Sequence, residues 1–566
     1  MVLFILLLNT LLSTSHSANV LVIAGLRGSH LYFSTDIADK LAEFGHNVTL
    51  VTMFSDKKVE KEDRAFRFVT FGDEDKSGPD MDYWRAVYEH SIHQPSKDMM
   101  PESLISRGDI KEVKMWRDDY NSVAQNYFQG KEFSKLLDTG EIDLIVLENS
   151  IALLAMVSLV HRDIPIMGIV CYPGARDVND RFGQLALLNS IPSWTNDVTN
   201  SPPTFLERLQ TLVKMVRFLT TFNSMIQSLV DKTMEPRANI EDYFTAIYDV
   251  VFINDHPAFS FPFLSPPNSF YLGLFNLEDR PLKPLPEEYL EFLTNCPYKH
   301  TLLFSFGSHL QNIGTFSITP TIMETLHQLN ACIIMNSPFD LSLHYDLPAD
   351  KFLQRAWIPQ KDLLGSGKLD FFISHCGNNG RMEAIYYNVP LLCIPLLGDQ
   401  YYNGRLVARN GFGLVLTRET LSEQTLTETI SKMLAKRGTF KANMKKAVDI
   451  ASNDPGSGTG VLKFYTDLLI KNRNVDYLVN RITLNQSFIE MHNLDIAALA
   501  LIFIMFLSAG ILFCFGAETC PGDIGDIGDT AFGDIGDIGD IGDIRDIGDK
   551  AFGDIGDIGD TGDVDV

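Results

Sequence analysis

The stretch FFISHCGNNGRMEAIYYNVPLLCIPLLGDQYYN, residues 371–403, decides the fold class of this 566-residue chain. Its two apolar runs, 369–374 and 391–396, have the length and composition of buried β-strands. The segment between the runs has a helical composition, and each run ends in polar residues. Two continuously apolar strands joined by a helix indicate a parallel sheet that helices cover on both faces.

The same alternation of strands and helices runs through the rest of the chain in two blocks. The first block begins at Asn19, and its first helix has apolar residues at helical spacing in LYFSTDIADKLAEF. A Pro-rich stretch, 276–288, interrupts the pattern, which restarts at Thr301. The sequence therefore predicts an α/β protein with two doubly wound, Rossmann-like domains and a ligand site in the cleft between them.

The two ends of the chain predict a membrane protein. Residues 1–12 are almost wholly apolar, and Ser15 and Ser17 take the −3 and −1 positions of a cleavage site, which is typical of a secretory signal peptide. Residues 496–517 carry no charge, as a bilayer-spanning helix requires. We therefore expect a single-pass type I protein with a lumenal body, on which Asn47 and Asn485 stand in glycosylation sequons.

Composition and charge complete the domain plan. Residues 522–566 repeat Gly-Asp-Ile and contribute −12 to the net charge of −25, which leaves −13 for the rest. No basic segment stands out, so the composition argues against a nucleic-acid partner. The predicted segments are a signal peptide 1–17, an N-terminal domain 18–275, a linker 276–288, a C-terminal domain 289–475, a juxtamembrane segment 476–495, a transmembrane helix 496–517 and a disordered acidic tail 518–566.

The cysteines do not predict a covalent framework. Seven cysteines are too few to form a disulfide framework in a protein of this size. Cys171, Cys332 and Cys393 stand in apolar runs, so we interpret them as core residues, and Cys514 lies within the predicted span.

Small and polar residues follow the strands of the second block. His375, Gly377 and Asn379 lie where a strand gives way to a helix, so unpaired backbone N–H groups and the helix dipole favour an anion there. Ser308 follows the first strand of the same block and offers a hydroxyl. Two strand ends that converge on an anion suggest a diphosphate, although His375 taken alone could also be a core histidine.

Further polar residues suit the remaining parts of a nucleotide sugar. Glu383 could accept both hydroxyls of a ribose, Trp357 could stack on a flat base, and Gln360 could read the edge of that base. Asp399 and Gln400 follow the next strand and suit the hydroxyls of a sugar. Taken singly, Trp357 could pack in the core and Glu383 could be a solvated helix residue. The ordered set predicts a nucleotide diphosphate sugar.

The stretches WIPQKDLLG and FISHCGNNGRMEAIYYNVPLLCIPLLGDQYYNGRLV together resemble the signature of the UDP-glycosyltransferases. From residue 18 to about 517 the chain looks like the membrane-bound UDP-glucuronosyltransferases of animals. The resemblance implies a two-domain GT-B fold that binds the UDP-sugar in its C-terminal domain and the acceptor in its N-terminal domain. It implies these donor contacts: His375 and Ser308 to phosphate, with Gly377 and Asn379 supporting them, Glu383 to ribose, Trp357 and Gln360 to uracil, and Asp399 and Gln400 to the sugar.

The resemblance also implies a catalytic histidine at His30, which follows the first strand in GLRGSH. A histidine can take the proton of an acceptor hydroxyl as that hydroxyl attacks the anomeric carbon. We therefore expect inversion, with no metal and no cofactor beyond the donor. Where the family commonly has an aspartate that orients the histidine, this chain has Glu148; the alternative, Asp143, stands at the start of the same strand.

These features predict a UDP-glycosyltransferase that moves a hexosyl or glucuronosyl group to a hydroxyl of a small lipophilic acceptor. An oxidoreductase would need G-x-G-x-x-G after the first strand, which GLRGSH lacks. A membrane-anchored binding protein with a degraded transferase site remains the alternative. The expected partners are the UDP-sugar, the acceptor and the membrane, and a homo-oligomer is compatible. The resemblance implies the endoplasmic reticulum, although the usual dilysine tail is missing.

The donor sugar is left open between UDP-glucose and UDP-glucuronic acid. A glucuronate carboxylate calls for a fixed cation, best an arginine, and many glucuronate-using members carry one just before the linker. The corresponding segment, 254–270, has no Arg or Lys and offers only His256. The sequence therefore favours UDP-glucose, unless Arg27 or Arg405 reads the carboxylate.

Overall fold

The structure is a computed structural model, in which two units are distinguished, 1–491 and 492–566. The predicted signal peptide up to residue 16, Arg27, Ser308, Asn485 and the acidic tail lie outside the described residues. The described residues are 17–24, 28–52, 59, 64–70, 135, 141–148, 164–172, 204, 206, 248–261, 267–278, 280–307, 317–337, 340–396, 399–473, 476–478 and 494–518.

The first half of the larger unit is built on a sheet of seven parallel strands. The strands are β1 Asn19–Ala24, β2 Asn47–Thr52, β3 Arg67–Thr70, β4 Leu144–Glu148, β5 Ile166–Val170, β6 Val250–Ile253 and β7 Ser269–Tyr271. Their order is β3-β2-β1-β4-β5-β6-β7. In register, Val22 of β1 pairs with Leu50 of β2 and Val146 of β4. The order reverses at β1 and β4, as in a doubly wound fold.

The second half has a sheet of six parallel strands with the matching order β10-β9-β8-β11-β12-β13. Its strands are β8 His300–Ser305, β9 Ala331–Asn336, β10 Phe352–Arg355, β11 Phe371–Ser374, β12 Leu391–Cys393 and β13 Gly413–Val415. Strands β11 and β12 are the two apolar runs of the deciding stretch, so the prediction of a parallel sheet is confirmed.

Helices flank these strands. In the larger unit they are α1 Ser29–Glu43, α2 Phe275–Glu278, α3 Glu287–Thr294, α4 Thr319–Gln328, α5 Gln360–Gly365, α6 Asn378–Tyr386, α7 Gln400–Arg409, α8 Glu423–Ser452 and α9 Gly458–Asn472. Short 3₁₀ turns are Leu341–Leu343, Arg418–Thr420 and Asp476–Leu478. Helix α8 begins with a capping box, in which Ser422 accepts from the backbone of Thr425.

Both sheets bury both faces, which explains why their strands read as continuous apolar runs. In β8, Leu302 and Phe304 join one core cluster, and Leu303 between them joins a cluster on the opposite face. Helix α9 follows the second sheet in sequence, yet its residues Val461 and Leu462 pack into the core of the first sheet. The predicted boundary at 475 between domain and juxtamembrane segment stays a prediction.

The predicted linker runs between helices of the two halves. Arg280 forms ion pairs with Asp36 and Asp39 on α1. The backbone N–H of Lys283 donates to Asp362 on α5 at 2.8 Å. The linker is therefore bonded to α1 in the first half and to α5 in the second half.

The smaller unit contains helix α10, Leu494–Glu518. Its window 495–512 has a mean hydropathy of 2.4, and it is the one helix among the described residues that is long and apolar enough to cross a membrane. This helix matches the predicted span.

The cysteines depart from the sequence interpretation. Cys332 and Cys393 are buried, but they are disulfide-bonded to Cys296 and Cys376 respectively. The paired Cα atoms lie 6.0 and 5.3 Å apart, within bridging distance. Their interpretation as core residues is confirmed, but their disulfide bonds were not predicted, because strand pairing and not sequence spacing brings the partners together. Cys171 is free and buried.

Candidate active site

In both sheets the strand order reverses beside the first strand, and polar groups follow the strands at that point. His30 follows β1 and Glu148 ends β4 in the first sheet; Gly307 follows β8 and His375 follows β11 in the second. A crevice at such a reversal is where doubly wound sheets bind ligands.

The pair formed by His30 and Glu148 is the best-defined feature of the first sheet. The Nδ1 atom of His30 lies 3.1 Å from Oε1 of Glu148, which is fully buried, whereas the His30 side chain is 21% exposed. Gly28, with φ of 67°, turns the chain from β1 into α1 and so places His30 in the first turn. Asp143 lies at the other end of β4, where it accepts from the N–H of Asn19. The geometry therefore favours Glu148 as the partner of His30.

The surroundings of His30 make its imidazole more basic than usual. Burial lowers the pKa of His30, but the charge of Glu148, its hydrogen bond and the charge of Asp399 together raise that pKa above its usual value. Asp399 belongs to the second half of the body, and the hydrogen bond from Asn379 to the carbonyl of Ser29 also joins that half to the start of α1. An imidazolium formed here is stabilised by the carboxylate of Glu148.

Cys171 is a third member of this cluster that the sequence did not suggest. It follows β5 directly, and its Sγ lies 2.9 Å from Nδ1 of His30 and 3.7 Å from Oε1 of Glu148. Burial, with the charges of Glu148 and Asp399, raises the thiol pKa well above its ordinary value. The only sequence signal was its position at the end of an apolar run, which equally suits a core cysteine.

His375 sits in a cradle between two glycines. A Cβ on Gly307 would lie 2.6 Å from Cε1 of His375, and a Cβ on Gly377 would lie 2.5 Å from its Nε2. Gly307 also has φ of 72°, which few other residues adopt. These two positions therefore require glycine while His375 keeps this place.

Helix α6 begins directly after this cradle, with Gly377 at its N-cap. Its first N–H groups have no partner within the helix, which suits an anion. The side chain of Asn379 is turned to the first half: it accepts from Asn254 at 3.0 Å and donates to the carbonyl of Ser29 at 3.3 Å. It thus ties the start of α6 to the residue before His30.

Arg381 joins the two halves and was missed by the sequence reasoning. Its side chain is fully buried and donates to Asp255 at 2.9 Å and to the carbonyl of Phe259 at 2.9 Å. It also donates to Oδ1 of Asn378, whose own amide donates to the carbonyls of Cys171 and Asn254. A buried arginine cannot be recognised on a helix without knowing what packs against it.

Glu383 and Gln360, predicted to hold ribose and base, are brought together. Nε2 of Gln360 donates to Oε2 of Glu383 at 2.7 Å. Burial raises the pKa of Glu383 to about 7, against the opposing effects of Gln360 and Lys361. Trp357, the expected stacking residue, is 50% exposed, and its carbonyl accepts from the hydroxyl of Tyr289.

Asp399 and Gln400 mark the start of α7. Oδ2 of Asp399 accepts from Asn403 at 2.8 Å. Burial raises the pKa of Asp399, although the Asn403 hydrogen bond and the charges of His30 and Arg381 oppose the rise. Oε1 of Gln400 accepts from the backbone N–H of Leu396 at 2.9 Å.

His256, the one basic residue in the segment before the linker, is already engaged on both ring nitrogens. Nε2 lies 2.9 Å from Oδ2 of Asp454, and Nδ1 accepts from the N–H of Ala258. Its ring is buried. Neither nitrogen is available to a sugar carboxylate in this arrangement.

Comparison with known sequences gives a consistent result. Residues 18–520 match the sequence model of a family described as "UDP-glucoronosyl and UDP-glucosyl transferase". The chain is 24% identical over 494 residues to UDP-glucuronosyltransferase 2B16 of Oryctolagus cuniculus, a match covering 85% of the chain and 91% of that protein. It is also 24% identical over 519 residues to UDP-glucuronosyltransferase 3A1 of Homo sapiens, covering 89% and 93%.

Solved structures share the fold at low sequence identity. A UDP-glucosyltransferase from Polygonum tinctorium, in complex with 3,4-dichloroaniline, superposes with a TM-score of 0.53 at 14% identity and covers 81% of this chain and 100% of its own. The glycosyltransferase VinC, in complex with DTDP, gives 0.51 at 16% identity with the same coverage. The predicted GT-B architecture is confirmed.

Proposed function

The chain belongs to the family of UDP-glucuronosyl and UDP-glucosyl transferases, and from this premise we propose that it transfers a hexosyl or glucuronosyl group from a UDP-sugar to a hydroxyl of a small lipophilic acceptor, with inversion. The observation that carries the proposal is the His30–Glu148 pair, 3.1 Å apart, with Asp399 of the other half close enough to shift the pKa of His30.

His30 is proposed as the general base. With Nδ1 donating to Glu148, its Nε2 carries the lone pair and accepts the proton of the acceptor hydroxyl. That oxygen forms a bond to the anomeric carbon while the bond from this carbon to the phosphate oxygen of UDP breaks. Glu148 stabilises the imidazolium that results, and attack from the side opposite UDP inverts the anomeric configuration.

The second half is proposed to bind UDP and stabilise it as it leaves. His375, Gly377 and the N–H groups at the start of α6 would hold the diphosphate, together with Ser308. Asn379 would contribute indirectly, because its side chain is bonded to Asn254 and Ser29 and fixes the start of α6.

The rest of the donor would lie along the neighbouring strand ends. Glu383 would accept the ribose hydroxyls, and Trp357 with Gln360 would hold the uracil. The Gln360–Glu383 hydrogen bond supports a shared site for base and ribose. Asp399 and Gln400 would accept from and donate to the sugar hydroxyls.

A neutral hexose is the donor sugar that this site supports best. His256 is occupied by Asp454 and Ala258, and the half-buried carboxyl of Asp399 would lie beside any carboxylate on the sugar. A neutral sugar needs only hydrogen bonds there. UDP-glucose is therefore our first candidate, although the two relatives compared above are named glucuronosyltransferases.

The membrane placement is part of the proposal. We place the body in the lumen, most simply that of the endoplasmic reticulum, with α10 as its anchor. Asn47 is exposed at the start of β2, which supports its use as a glycosylation site.

A competition between donors tests the function directly. Microsomes that express the chain receive UDP-glucose and UDP-glucuronic acid at equal concentration, with a panel of phenols and aliphatic alcohols, and the products are identified by mass. A hexoside made by the chain and lost in the His30→Ala variant would support the proposal. A protein that binds UDP but transfers no sugar to any acceptor would instead be the membrane-anchored binding protein with a degraded transferase site.

A further inference from the structure

The cluster of His30, Glu148 and Cys171 has the make-up of a metal site. One ligand atom from each residue lies within 4.8 Å of the other two. Sγ of Cys171 and Oε1 of Glu148 lie 2.9 and 3.1 Å from Nδ1 of His30, and they lie 3.7 Å from each other.

These separations are close to those that a tetrahedral ion needs. Zinc bonds of about 2.0–2.1 Å to nitrogen and oxygen and about 2.3 Å to sulfur place neighbouring ligand atoms roughly 3.3–3.6 Å apart. The Nδ1–Oε1 separation would open by roughly 0.2–0.3 Å and the Nδ1–Sγ separation by roughly 0.6–0.7 Å. Rotation of the His30 ring and of the Cys171 side chain could supply that change without moving a strand.

The backbone holds the three residues in place. Glu148 ends β4, Cys171 directly follows β5, and His30 lies in the first turn of α1, which follows β1. Strand β4 pairs with both β1 and β5. Glu148 and Cys171 are buried, and His30 is partly exposed. A bound ion would thus have two protein ligands from the sheet edge, one from the first turn of α1, and a fourth position open to water.

The ligand types select the class of ion. Imidazole and thiolate favour Zn²⁺ and the softer Cd²⁺, whereas Mg²⁺ and Ca²⁺ prefer oxygen ligands. We propose that His30, Glu148 and Cys171 form an inhibitory site for thiophilic divalent ions, and that one such ion blocks the transferase.

The binding step accounts for the inhibition. The Cys171 S–H bond breaks, its proton goes to solvent, and bonds form from the ion to Sγ, Oε1 and Nδ1. Because Nδ1 then binds the ion, the imidazole proton moves to Nε2. Nε2 loses the lone pair that would accept the proton of the acceptor. The inhibition rests on the role proposed for His30, whereas the binding of the ion does not.

Cadmium is the probe of choice, because a Cd²⁺–thiolate bond absorbs in the ultraviolet. The full chain is solubilised in detergent with Cys514→Ser and Cys520→Ser in place, so that Cys171 is the free thiol under test. This background is titrated with Cd²⁺ and compared with the same protein carrying Cys171→Ser. UDP affinity is measured in both proteins to verify that each is folded, since UDP is expected to bind in the other half.

We expect one equivalent of Cd²⁺ to bind the background protein with thiolate absorbance. Cys171→Ser should abolish that absorbance and weaken inhibition by Zn²⁺ at least about tenfold, taking each protein's own metal-free rate as the reference. His30→Ala should weaken Cd²⁺ binding comparably, and Mg²⁺ should not compete.

Equal Cd²⁺ absorbance and affinity with and without Cys171 would overturn the metal site, whatever the transferase activity. Cd²⁺ binding that depends on Cys171 but leaves transfer unaffected would overturn the inhibitory role. A protein that binds Cd²⁺ through Cys171 but transfers no sugar from any donor would contradict the proposed function and leave the metal-binding site standing.

Discussion

The two halves of the body share one strand order and differ in the residues at the ends of their strands. In the first half, three side chains that can exchange protons contact one another: His30, Glu148 and Cys171. In the second half, His375 lies between two glycines at the start of a helix. The first arrangement suits proton transfer and the second suits an anion. The difference shows that equal topology positions a site without choosing its chemistry, which the residues after the strands decide.

Removing the proposed base, His30, from the first half should have the largest effect. His30→Ala should lower turnover of an aliphatic alcohol about 10²- to 10⁴-fold, the range that general base catalysis contributes. UDP affinity should be unchanged, because UDP is expected to bind in the second half. Rates and UDP dissociation constants on the same preparation measure both. Near-normal turnover of an aliphatic alcohol would refute the role of His30; an acidic phenol needs less help from a base and is the weaker test.

Breaking the ion pair between the two halves should have the second-largest effect. Arg381→Ala leaves Asp255 buried without its cation, and such a loss costs about 3–5 kcal/mol of folding free energy. The matched control is Arg355→Ala, since the Arg355–Glu288 pair is 42% and 43% exposed and such pairs contribute about 1 kcal/mol or less. Denaturant unfolding of the solubilised chain, followed by tryptophan fluorescence, gives both values. If both variants lose a similar free energy of unfolding, the Arg381–Asp255 pair does not stabilise the contact between the halves as a buried ion pair would.

Disturbing the anion cradle should have a smaller effect confined to the second half. Gly377 has φ of −60°, so alanine fits its backbone, but the added Cβ meets the ring of His375. Overpacking of this kind costs about 1–3 kcal/mol, and we expect UDP affinity to fall about fivefold or more. Gly438→Ala is the control, because a Cβ there meets nothing within 4 Å. Unchanged UDP affinity in Gly377→Ala would show that His375 does not contact the diphosphate of UDP.

The smallest expected effect is a pH dependence of donor binding. Glu383 has a pKa of about 7, so it is largely neutral below that pH and ionised above it. In the proposed ribose site the ionised carboxylate would accept from two hydroxyls, and UDP affinity should therefore rise with pH and level off above about 7. At pH 6.5 we expect it to be about fourfold below the plateau, since about a quarter of a carboxyl group is ionised half a unit below its pKa. In the Glu383→Gln variant UDP affinity should no longer depend on pH over this range. If it depends on pH as strongly as before, another group is responsible.

Much of the frame was visible in the sequence, because it depends on local patterns. The apolar runs marked β11 and β12, and the position of Glu148 at a strand end, against Asp143 at a strand start, already favoured the partner that lies beside His30. The sequence also brought Gln360 and Glu383 into one proposed site, although they are 23 positions apart.

The residues that were missed depend on contacts between distant parts of the chain. Cys171 reaches His30 only because β5 pairs with β4 in register. Arg381 finds Asp255 only when the two halves dock, and the disulfide partners meet only across neighbouring strands or segments. None of these contacts has a signature in residue type or spacing.

Helix α9 gives the chain a constraint on its synthesis. Val461, Leu462 and Leu469 complete the core around β1 and β6, although they are made long after those strands. At about 5–20 residues per second, the roughly 200 residues between Leu272 and Leu469 take on the order of 10–40 s to synthesise. During that interval the nascent first half exposes the apolar surface that α9 will cover. We therefore expect the first half to complete its core only when most of the body has been synthesised, and to need chaperones until then.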